Sequence, residues 1–416
     1  MQAENNKNLI RVVTFGCRLN SLESEKIQNM LSGRLTRAIL VNTCAVTAEA
    51  ERQCAQSVRR LSRENPDTPI FVTGCAATRN PDLFAAIQNC IVVSNADKMS
   101  IDAYLDAARA AGFALPPAPT RTTITPSVSK LSKQFIQVQN GCNHDCTYCV
   151  TRLLRGPAQS FEYERVLVEA RAATAAGFTE IVLTGVDIAS YARLHDGRPF
   201  LISDLCAALL RDVPGLRRLR LSSLDPASPE ILRLIDLIHG DDRMMGHIHL
   251  SMQSGSDPIL SAMRRRHTAA TVRNLVTRAS NITFSWDIIC GFPGETEELF
   301  AETVALAREL GVIKIHAFPF SPRPGTVAAD MPNQVPRDVA RRRVREITAV
   351  ANENLHKYMS GQIGKTVQVL VEQNNTARTP DDIAVRIDGA PIPARTVCDV
   401  ILDEIDGDTF IAHNHR

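Results

Sequence analysis

Six cysteines in this chain are placed where metal ligands are expected, three by their spacing and three by their position after predicted strands. Three of them, Cys142, Cys146 and Cys149, stand in a C-x3-C-x2-C loop that closely follows the predicted strand at 134–139. Three thiolates in one loop can hold three irons of a 4Fe–4S cluster and leave the fourth iron open to a substrate or cofactor. Structural zinc is the alternative, but zinc takes four ligands, and His144 would have to fit between two cysteines as the fourth. We therefore predict an iron–sulfur cluster at these three loop cysteines.

The other three, Cys17, Cys44 and Cys75, are 27 and 31 residues apart, yet each follows an apolar run typical of a buried strand. Helical stretches follow the runs, which indicates an α/β layer with a parallel sheet. The carboxyl ends of parallel strands meet at one edge of a sheet, where open α/β proteins bind their ligands. These strand-end cysteines are therefore expected to converge on a second cofactor site.

The remaining five cysteines are not placed as metal ligands would be. With eleven cysteines and no secretory signal, the chain is expected to keep its thiols reduced rather than to form a disulfide framework. We interpret these five cysteines as small buried residues of the core. They are Cys54, Cys90, Cys206, Cys290 and Cys398.

The composition sets limits on the class of protein. With 416 residues, 44% hydrophobic and 22% charged, the chain is long enough for two or three globular domains of about 100–200 residues. The net charge of +2 excludes an overall polycation, so any nucleic-acid contact must come from local clusters. No apolar stretch approaches the ~18 residues of a membrane span, and the start lacks a signal-peptide apolar region. We expect a cytoplasmic enzyme without a membrane partner.

The elements that must position these cysteines indicate an α/β protein with three structured parts. Residues 8–112 form the first α/β domain, and the Pro/Thr/Ser-rich stretch 113–133 is predicted to be a linker. Six strand–helix repeats within 134–358 favour a partial (β/α)6 barrel rather than a full eightfold one. Short strands with Asp-Gly turns in 359–416 predict a small, all-β barrel.

These features together resemble a known family. A C-x3-C-x2-C loop with an aromatic residue, Tyr148, before its last cysteine resembles the radical S-adenosylmethionine superfamily. The strand-end cysteines and the C-terminal barrel make the chain similar to the methylthiotransferases of that superfamily. The resemblance implies an N-terminal methylthiotransferase domain with an auxiliary 4Fe–4S cluster, a radical core with a second 4Fe–4S cluster, and a TRAM domain. It also implies that the strand-end and loop cysteines are the respective cluster ligands.

Three segments resemble the branch that acts on N6-threonylcarbamoyladenosine in tRNA, namely 16–20, 249–255 and 316–321. For that branch the reaction is radical transfer of a methylthio group to C2 of the modified adenosine beside the anticodon, giving 2-methylthio-N6-threonylcarbamoyladenosine. The implied partners are the tRNA anticodon loop, an electron donor such as flavodoxin or ferredoxin, and a sulfur source. N6-isopentenyladenosine in tRNA and a ribosomal protein remain alternative substrates.

The resemblance also places S-adenosylmethionine across the strand ends of the partial barrel. A glycine there would let the backbone approach the methionyl amine, and Phe318 could pack on adenine. The candidate cofactor contacts are Tyr148, Gly185, Asp187, Ser223, Asp225, Gln253 and Phe318. No protein acid or base is assigned, because the clusters and S-adenosylmethionine carry the chemistry.

Clustered arginines are the candidate RNA contacts. Arg264, Arg265 and Arg266 lie in one run and could neutralise phosphates. Two further runs, at 217–220 and 341–343, have the same appearance, but the second is equally typical of a solvated ion-pair face.

A different class of function remains possible at this point, a non-catalytic RNA-binding protein stabilised by zinc. That protein would be colourless. The enzyme would be brown and sensitive to oxygen.

Overall fold

The computed structural model describes residues 9–32, 34–35, 37–113 and 131–414. Residues 114–130 of the predicted linker lie outside this part of the chain. Within the described ranges, each predicted strand that precedes a strand-end cysteine or the cysteine loop is a strand in the structure. No helix in these ranges is both long and apolar enough to span a membrane.

The first domain is a four-stranded parallel sheet in the order β1-β2-β3-β4. Its middle strands are buried on both faces, which explains their continuous apolar runs, and helices cover both sides. The strands are β1 (Leu9–Thr14), β2 (Arg37–Thr43), β3 (Ile70–Gly74) and β4 (Cys90–Val92). The helices are α1 (Arg18–Leu31), α2 (Ala48–Glu64), α3 (Cys75–Arg79), α4 (Pro81–Ala85) and α5 (Ile101–Ala110).

The second part contains the six predicted strands, all parallel, in two sheets of three. The sheets β11-β8-β5 and β12-β13-β14 continue into one arc through the parallel bridges Leu219–Met244 and Leu224–Leu250. The six strands are β5 (Lys133–Gln137), β8 (Glu180–Thr184), β11 (Arg218–Leu221), β12 (His247–Gln253), β13 (Thr283–Cys290) and β14 (Lys314–Pro319). Two short antiparallel pairs, which the sequence did not indicate, are β6 (Gln139–Asn140) with β7 (Gln159–Ser160) and β9 (Ala192–His195) with β10 (Arg198–Leu201).

Helices cover the outside of this arc, and its inner face is polar. Along β12, Ile248, Leu250 and Met252 are buried in the main core, whereas the intervening side chains point to the inside of the arc. The helices are α6 (Thr151–Arg155), α7 (Tyr163–Ala175), α8 (Ile202–Asp212), α9 (Glu230–Gly240), α10 (Asp257–Ala262), α11 (Ala269–Arg278), α12 (Glu297–Glu309) and α13 (Arg337–Ser360). The predicted partial (β/α)6 barrel is confirmed.

The third part is a closed five-stranded barrel in the order β15-β16-β17-β19-β18, as expected of a TRAM-like domain. Its strands are β15 (Thr366–Val371), β16 (Thr376–Arg378), β17 (Ala384–Asp388), β18 (Val397–Asp406) and β19 (Thr409–Asn414). The sequence indicated four of these strands. The fifth, β16, has only three residues and no apolar alternation, so it carries no local signal.

A buried carboxylate joins the barrel to the amino ends of the core strands. Glu180 at the start of β8 is fully buried, and its two oxygens lie 2.7 Å from Nε of Arg218 and 2.9 Å from Nε of Arg220. Burial alone would raise the pKa of Glu180, but Arg220, Lys133 and Arg218 outweigh it and lower the pKa to about 2. Its ionised form therefore stabilises the fold at neutral pH.

The same arginines bind the C-terminal domain. Arg218 donates to the carbonyl oxygen of Thr379 at 2.9 Å, and Arg220 donates to that of Pro380 at 2.8 Å. The suggestion that the run at 217–220 contacts phosphates is therefore wrong for these two residues, because both are buried and paired.

We predict that Glu180→Gln lowers the free energy of unfolding by about 3–5 kcal/mol, because it leaves buried arginines without a counter-charge. Chemical denaturation of the intact holoprotein measures the change. The folded pKa lies below the unfolded value of 4.5, so the contribution of Glu180 is present above that pH and disappears as the pH falls towards 2.

The matched control is Glu309→Gln. Glu309 pairs with Arg273 at 2.7 Å, but both side chains are about half exposed, so the loss should stay below about 1 kcal/mol. Equal losses in the two variants would contradict a special role for the buried charge.

Candidate active site

The structure brings the strand-end cysteines to one edge of the first sheet. Cys17 caps α1 after β1, Cys44 follows β2, and Cys75 begins α3 after β3. Burial raises the pKa of the Cys44 thiol, and the neighbouring Cys75 and Cys17 raise it further, so the three sulfurs share one environment. Gly16 has φ +92°, and a Cβ there would lie 2.8 Å from Cys44 Sγ. Only glycine therefore leaves room beside this sulfur.

Cys54 lies directly behind this site but belongs to the core. The backbone N–H of Cys44 donates to Cys54 Sγ at 3.4 Å, and burial raises the pKa of Cys54 to about 12. Cys206 and Cys290 are likewise fully buried, as predicted, whereas Cys90 and Cys398 are half-buried.

The loop cysteines lie between β6 and α6, and all three are half-buried free thiols. Two of them receive N–H groups, since Cys142 Sγ accepts from the His144 amide at 3.4 Å and Cys146 Sγ accepts from Arg265 Nη1 at 3.5 Å. Burial raises the pKa of Cys142 to about 11, and the nearby Asp187, Cys149 and Cys146 add to this effect. Donors aimed at the sulfurs suit thiolates rather than neutral thiols.

Two carboxylates at strand ends hold the loop in place. His144 Nε2 lies 2.7 Å from an oxygen of Asp187, beyond the end of β8. Asp225, beyond the end of β11, accepts from Arg265 at 2.8 Å and from Arg266 at 2.5 Å. The ligand atoms of Cys142, His144 and Asp187 all lie within 4.8 Å of one another. Side chains from widely separated segments thus converge on the loop cysteines.

Sequence reasoning missed Gln139, which connects the loop to β8. Its fully buried side chain accepts from the amides of Val186 and Asp187 at 3.0 and 2.8 Å and donates to the Gly141 carbonyl at 2.7 Å. A Cβ at Gly185 would lie 2.8 Å from the Gln139 carbonyl oxygen. Packing against Gln139 by itself therefore requires a glycine at position 185, and the expected cofactor contact there stays a prediction. A glutamine at a strand end carries no sequence signal for such a role.

The other candidate cofactor contacts occupy the strand ends that the sequence assigned them. Ser223 follows β11, Gln253 ends β12 with φ +70°, and Phe318 on β14 is 44% exposed. Tyr148 packs against a small apolar cluster that includes Phe292, and burial raises its pKa. Nothing in these contacts tests whether they bind a cofactor, so that assignment stays a prediction.

The side chains of the three candidate RNA-binding arginines point in different directions. The Arg265 side chain is only 7% exposed and faces Cys146, so its position favours a role at the cysteines rather than on phosphate. Arg264 and Arg266 are half exposed, and Arg264 pairs with Asp145 at 3.0 Å. In the run at 341–343, the second and third arginines pair with glutamates of the loop and helix before them, which supports the ion-pair interpretation.

A buried ion cluster holds the two cysteine sets near each other. Arg155, which ends α6 just after the loop cysteines, donates to Glu23 at 2.8 Å and to Asn20 at 2.7 Å on α1. Lys98 Nζ binds the other oxygen of Glu23 at 2.6 Å. Asn95 donates to Cys75 Sγ at 3.7 Å and to the carbonyl of Leu154 in α6 at 3.0 Å. The first domain therefore docks on the second part through the sheet edge that carries its strand-end cysteines.

Comparison with protein families matches both cysteine-bearing parts. The Radical SAM superfamily model matches residues 136–307, and the model of "Uncharacterized protein family UPF0004" matches residues 9–94. The solved radical S-adenosylmethionine methyltransferase TsrM from Kitasatospora setae, with cobalamin and a [4Fe-4S] cluster bound, has a TM-score of 0.55 and 18% identity. The match covers 75% of this chain and 69% of TsrM, so it supports the fold alone.

Curated relatives match nearly the whole chain. The threonylcarbamoyladenosine tRNA methylthiotransferase MtaB of Rickettsia prowazekii is 37% identical over 91% of both chains. The Bacillus subtilis MtaB is 31% identical over 86% of this chain and 84% of its own. A tRNA-2-methylthio-N(6)-dimethylallyladenosine synthase of Burkholderia thailandensis is 30% identical over 91% of this chain and 88% of its own.

Both cysteine sets fit a three-cysteine 4Fe–4S site. Each set offers three thiols in one place, the sulfurs of Cys75, Cys142 and Cys146 receive N–H donors, and Gly16 keeps the space beside Cys44 open.

We expect the anaerobically purified protein to contain roughly eight irons, and Cys142→Ala and Cys44→Ala each to retain roughly four. Iron analysis and the visible absorption spectrum measure this loss. Cys398→Ala, in the C-terminal barrel, is the matched control and should keep the wild-type iron content. Unchanged iron in Cys142→Ala or Cys44→Ala would show that the ligand set is wrong.

Proposed function

This chain belongs to the methylthiotransferases of the radical S-adenosylmethionine superfamily, and from this premise we propose that its substrate is N6-threonylcarbamoyladenosine in tRNA. The product would be 2-methylthio-N6-threonylcarbamoyladenosine beside the anticodon. The supporting observation is 37% identity to an MtaB enzyme over 91% of both chains, against 30% to a synthase named for dimethylallyladenosine. That lower but extensive similarity makes N6-isopentenyladenosine the second candidate. A ribosomal protein is named in none of these relatives.

The family binds S-adenosylmethionine and two 4Fe–4S clusters. We assign one cluster to the loop cysteines and the other to the strand-end cysteines. When bound, these groups supply the 5′-deoxyadenosyl radical that removes hydrogen from C2 and the sulfur that replaces it. An unactivated aromatic C–H bond needs a radical, and the sulfur must be kept apart from the site that generates it. Two separate cysteine sets meet both needs.

The chain's own residues then orient and shield the reacting groups. Arg265, fixed by Asp225, donates to Cys146 Sγ and so restrains the loop. Asp187 also restrains the loop, through His144. Tyr148 packs against the apolar cluster that includes Phe292 and so excludes water there. Gly185, Ser223, Gln253 and Phe318 remain the proposed S-adenosylmethionine contacts at the strand ends.

The partners follow from the chemistry. Substrate recognition requires the anticodon loop of a tRNA, for which Arg264 and Arg266 are the proposed outward-facing phosphate contacts. Reductive cleavage of S-adenosylmethionine consumes an electron, so a low-potential donor such as flavodoxin or ferredoxin is required. Each transfer consumes one sulfur atom, so a sulfur source is required as well.

The direct test is nucleoside mass spectrometry of total tRNA from cells that lack the gene and are complemented with the intact gene or with Cys142→Ala. We expect 2-methylthio-N6-threonylcarbamoyladenosine only with the intact gene, because the variant loses one ligand of the radical cluster. Cys398→Ala is the complementation control and should restore the nucleoside.

An unchanged level of this nucleoside in every strain would reject the proposed substrate. A change in the methylthio form of isopentenyladenosine in the same spectra would instead favour the second candidate.

A further inference from the structure

The six-stranded arc is open on one side, between its edge strands β5 and β14. Ile136 on β5 and Ile315 on β14 are buried in the outer core, so their neighbours along each strand point into the arc. On β14 these neighbours are Lys314 and His316, both exposed, and on β5 the neighbour is the half-buried Phe135. The opening is therefore lined by an aromatic ring on one edge and by a lysine and a histidine on the other.

Arg18 of the first domain reaches into this opening. It directly follows the strand-end ligand candidate Cys17, and its guanidinium carbon lies 5.8 Å from the centre of the Phe135 ring. Arg18 thus stands between the strand-end cysteines and the interior of the arc. A group bound beside it would lie next to the strand-end cysteines.

Among the described residues, neither Arg18 nor Lys314 forms an ion pair. Asp382 of the C-terminal domain attracts Lys314, but it is itself bound to Lys133 at 2.5 Å. Asp287, inside the arc, is paired with His249 at 3.0 Å. The His249 ring lies 5.3 Å from that of His316. Partial burial lowers the pKa of His316, and repulsion from His249, Lys314 and Arg18 lowers it further.

Arg18 is exposed, and the buried arginines of the described chain differ from it in this respect. Each has a carboxylate at hydrogen-bond distance, as shown by the pairs Arg155–Glu23, Arg218–Glu180, Arg265–Asp225 and Arg343–Glu295. An uncompensated set of positive groups beside a polar cavity is a site for an anion, because a bound anion relieves their mutual repulsion.

We propose that Arg18 and Lys314, with His316, bind the carboxylate carried by the N6 substituent of the substrate adenosine. This inference rests on the proposed function, and it names the residues that select a threonylcarbamoyl group over an uncharged isopentenyl group. The C2 atom of the adenine must be accessible both to the radical and to the sulfur that replaces its hydrogen. The adenine would therefore lie near Phe135, with its N6 substituent directed at the opening.

A backbone phosphate offers the same charge, but its position differs. Phosphates lie on the outside of an anticodon loop, whereas this site opens into the arc beside the strand-end cysteines. The carboxylate of the modified base is therefore the favoured ligand, and the experiment must separate the two sources.

The experiment measures binding of the holoprotein to fluorescent anticodon stem-loops by anisotropy. One stem-loop carries N6-threonylcarbamoyladenosine, one its methyl ester, and one plain adenosine. We expect wild type to prefer the free acid, and Arg18→Gln and Lys314→Gln each to lose roughly ten-fold or more in affinity for it alone. Affinities for the ester and for plain adenosine should stay unchanged.

Arg37→Gln is the matched control, because Arg37 is exposed at the amino end of β2, opposite the edge that carries the cysteines. It should bind all three stem-loops as wild type does. Iron content and circular dichroism equal to wild type establish that each variant is folded and holds its clusters.

Two outcomes would overturn the inference. Equal losses for all three stem-loops in Arg18→Gln would indicate a phosphate contact, and unchanged discrimination in both variants would exclude a carboxylate contact. In either case wild type would still methylthiolate the free-acid stem-loop if the proposed function is correct. Failure of wild type to do so would instead reject the proposed function itself.

Discussion

The arrangement of the whole molecule depends on one buried carboxylate, Glu23 on α1. Burial raises the free energy of its charged form, but Arg155 and Lys98 outweigh that cost and lower its pKa. Arg155 belongs to the radical core and Lys98 to the first domain, so the three charges are satisfied together only when the two parts are docked. A wrong docking would leave buried charges unpaired, which is far more costly than losing a surface ion pair.

The same principle operates at the other end of the arc. Glu180 satisfies Arg218 and Arg220 at the amino ends of the strands, and the same arginines bind backbone carbonyls of the C-terminal barrel. Ionic contacts thus orient both flanking domains on the radical core, while apolar packing forms each domain's interior. The carboxyl ends of the strands are left to hold the cysteine loop, and Arg18 and Lys314 lie at the open side of the arc.

Much of the site was predictable because its ligands follow strands. A cysteine placed after an apolar run must lie at the carboxyl edge of a parallel sheet, so the convergence of Cys17, Cys44 and Cys75 follows from three local patterns. The C-x3-C-x2-C loop is local as well. The roles of arginines were not predictable in this way, since the run 264–266 looks like one phosphate-binding patch. The structure turns Arg265 inward to Asp225 and Cys146, which lie 40 and 119 residues away.

The amino-acid sequence by itself determined the three-part organisation, the six strands of the arc and the two sets of cysteines. Hydrophobic periodicity and the spacing of nearby residues predict these features. Only the tertiary structure decided which charges are paired, that Gln139 joins the cysteine loop to β8, and that Arg18 and Lys314 face the same opening. Those pairings depend on distances between segments far apart in the chain, and burial decides their strength. No local pattern encodes either quantity.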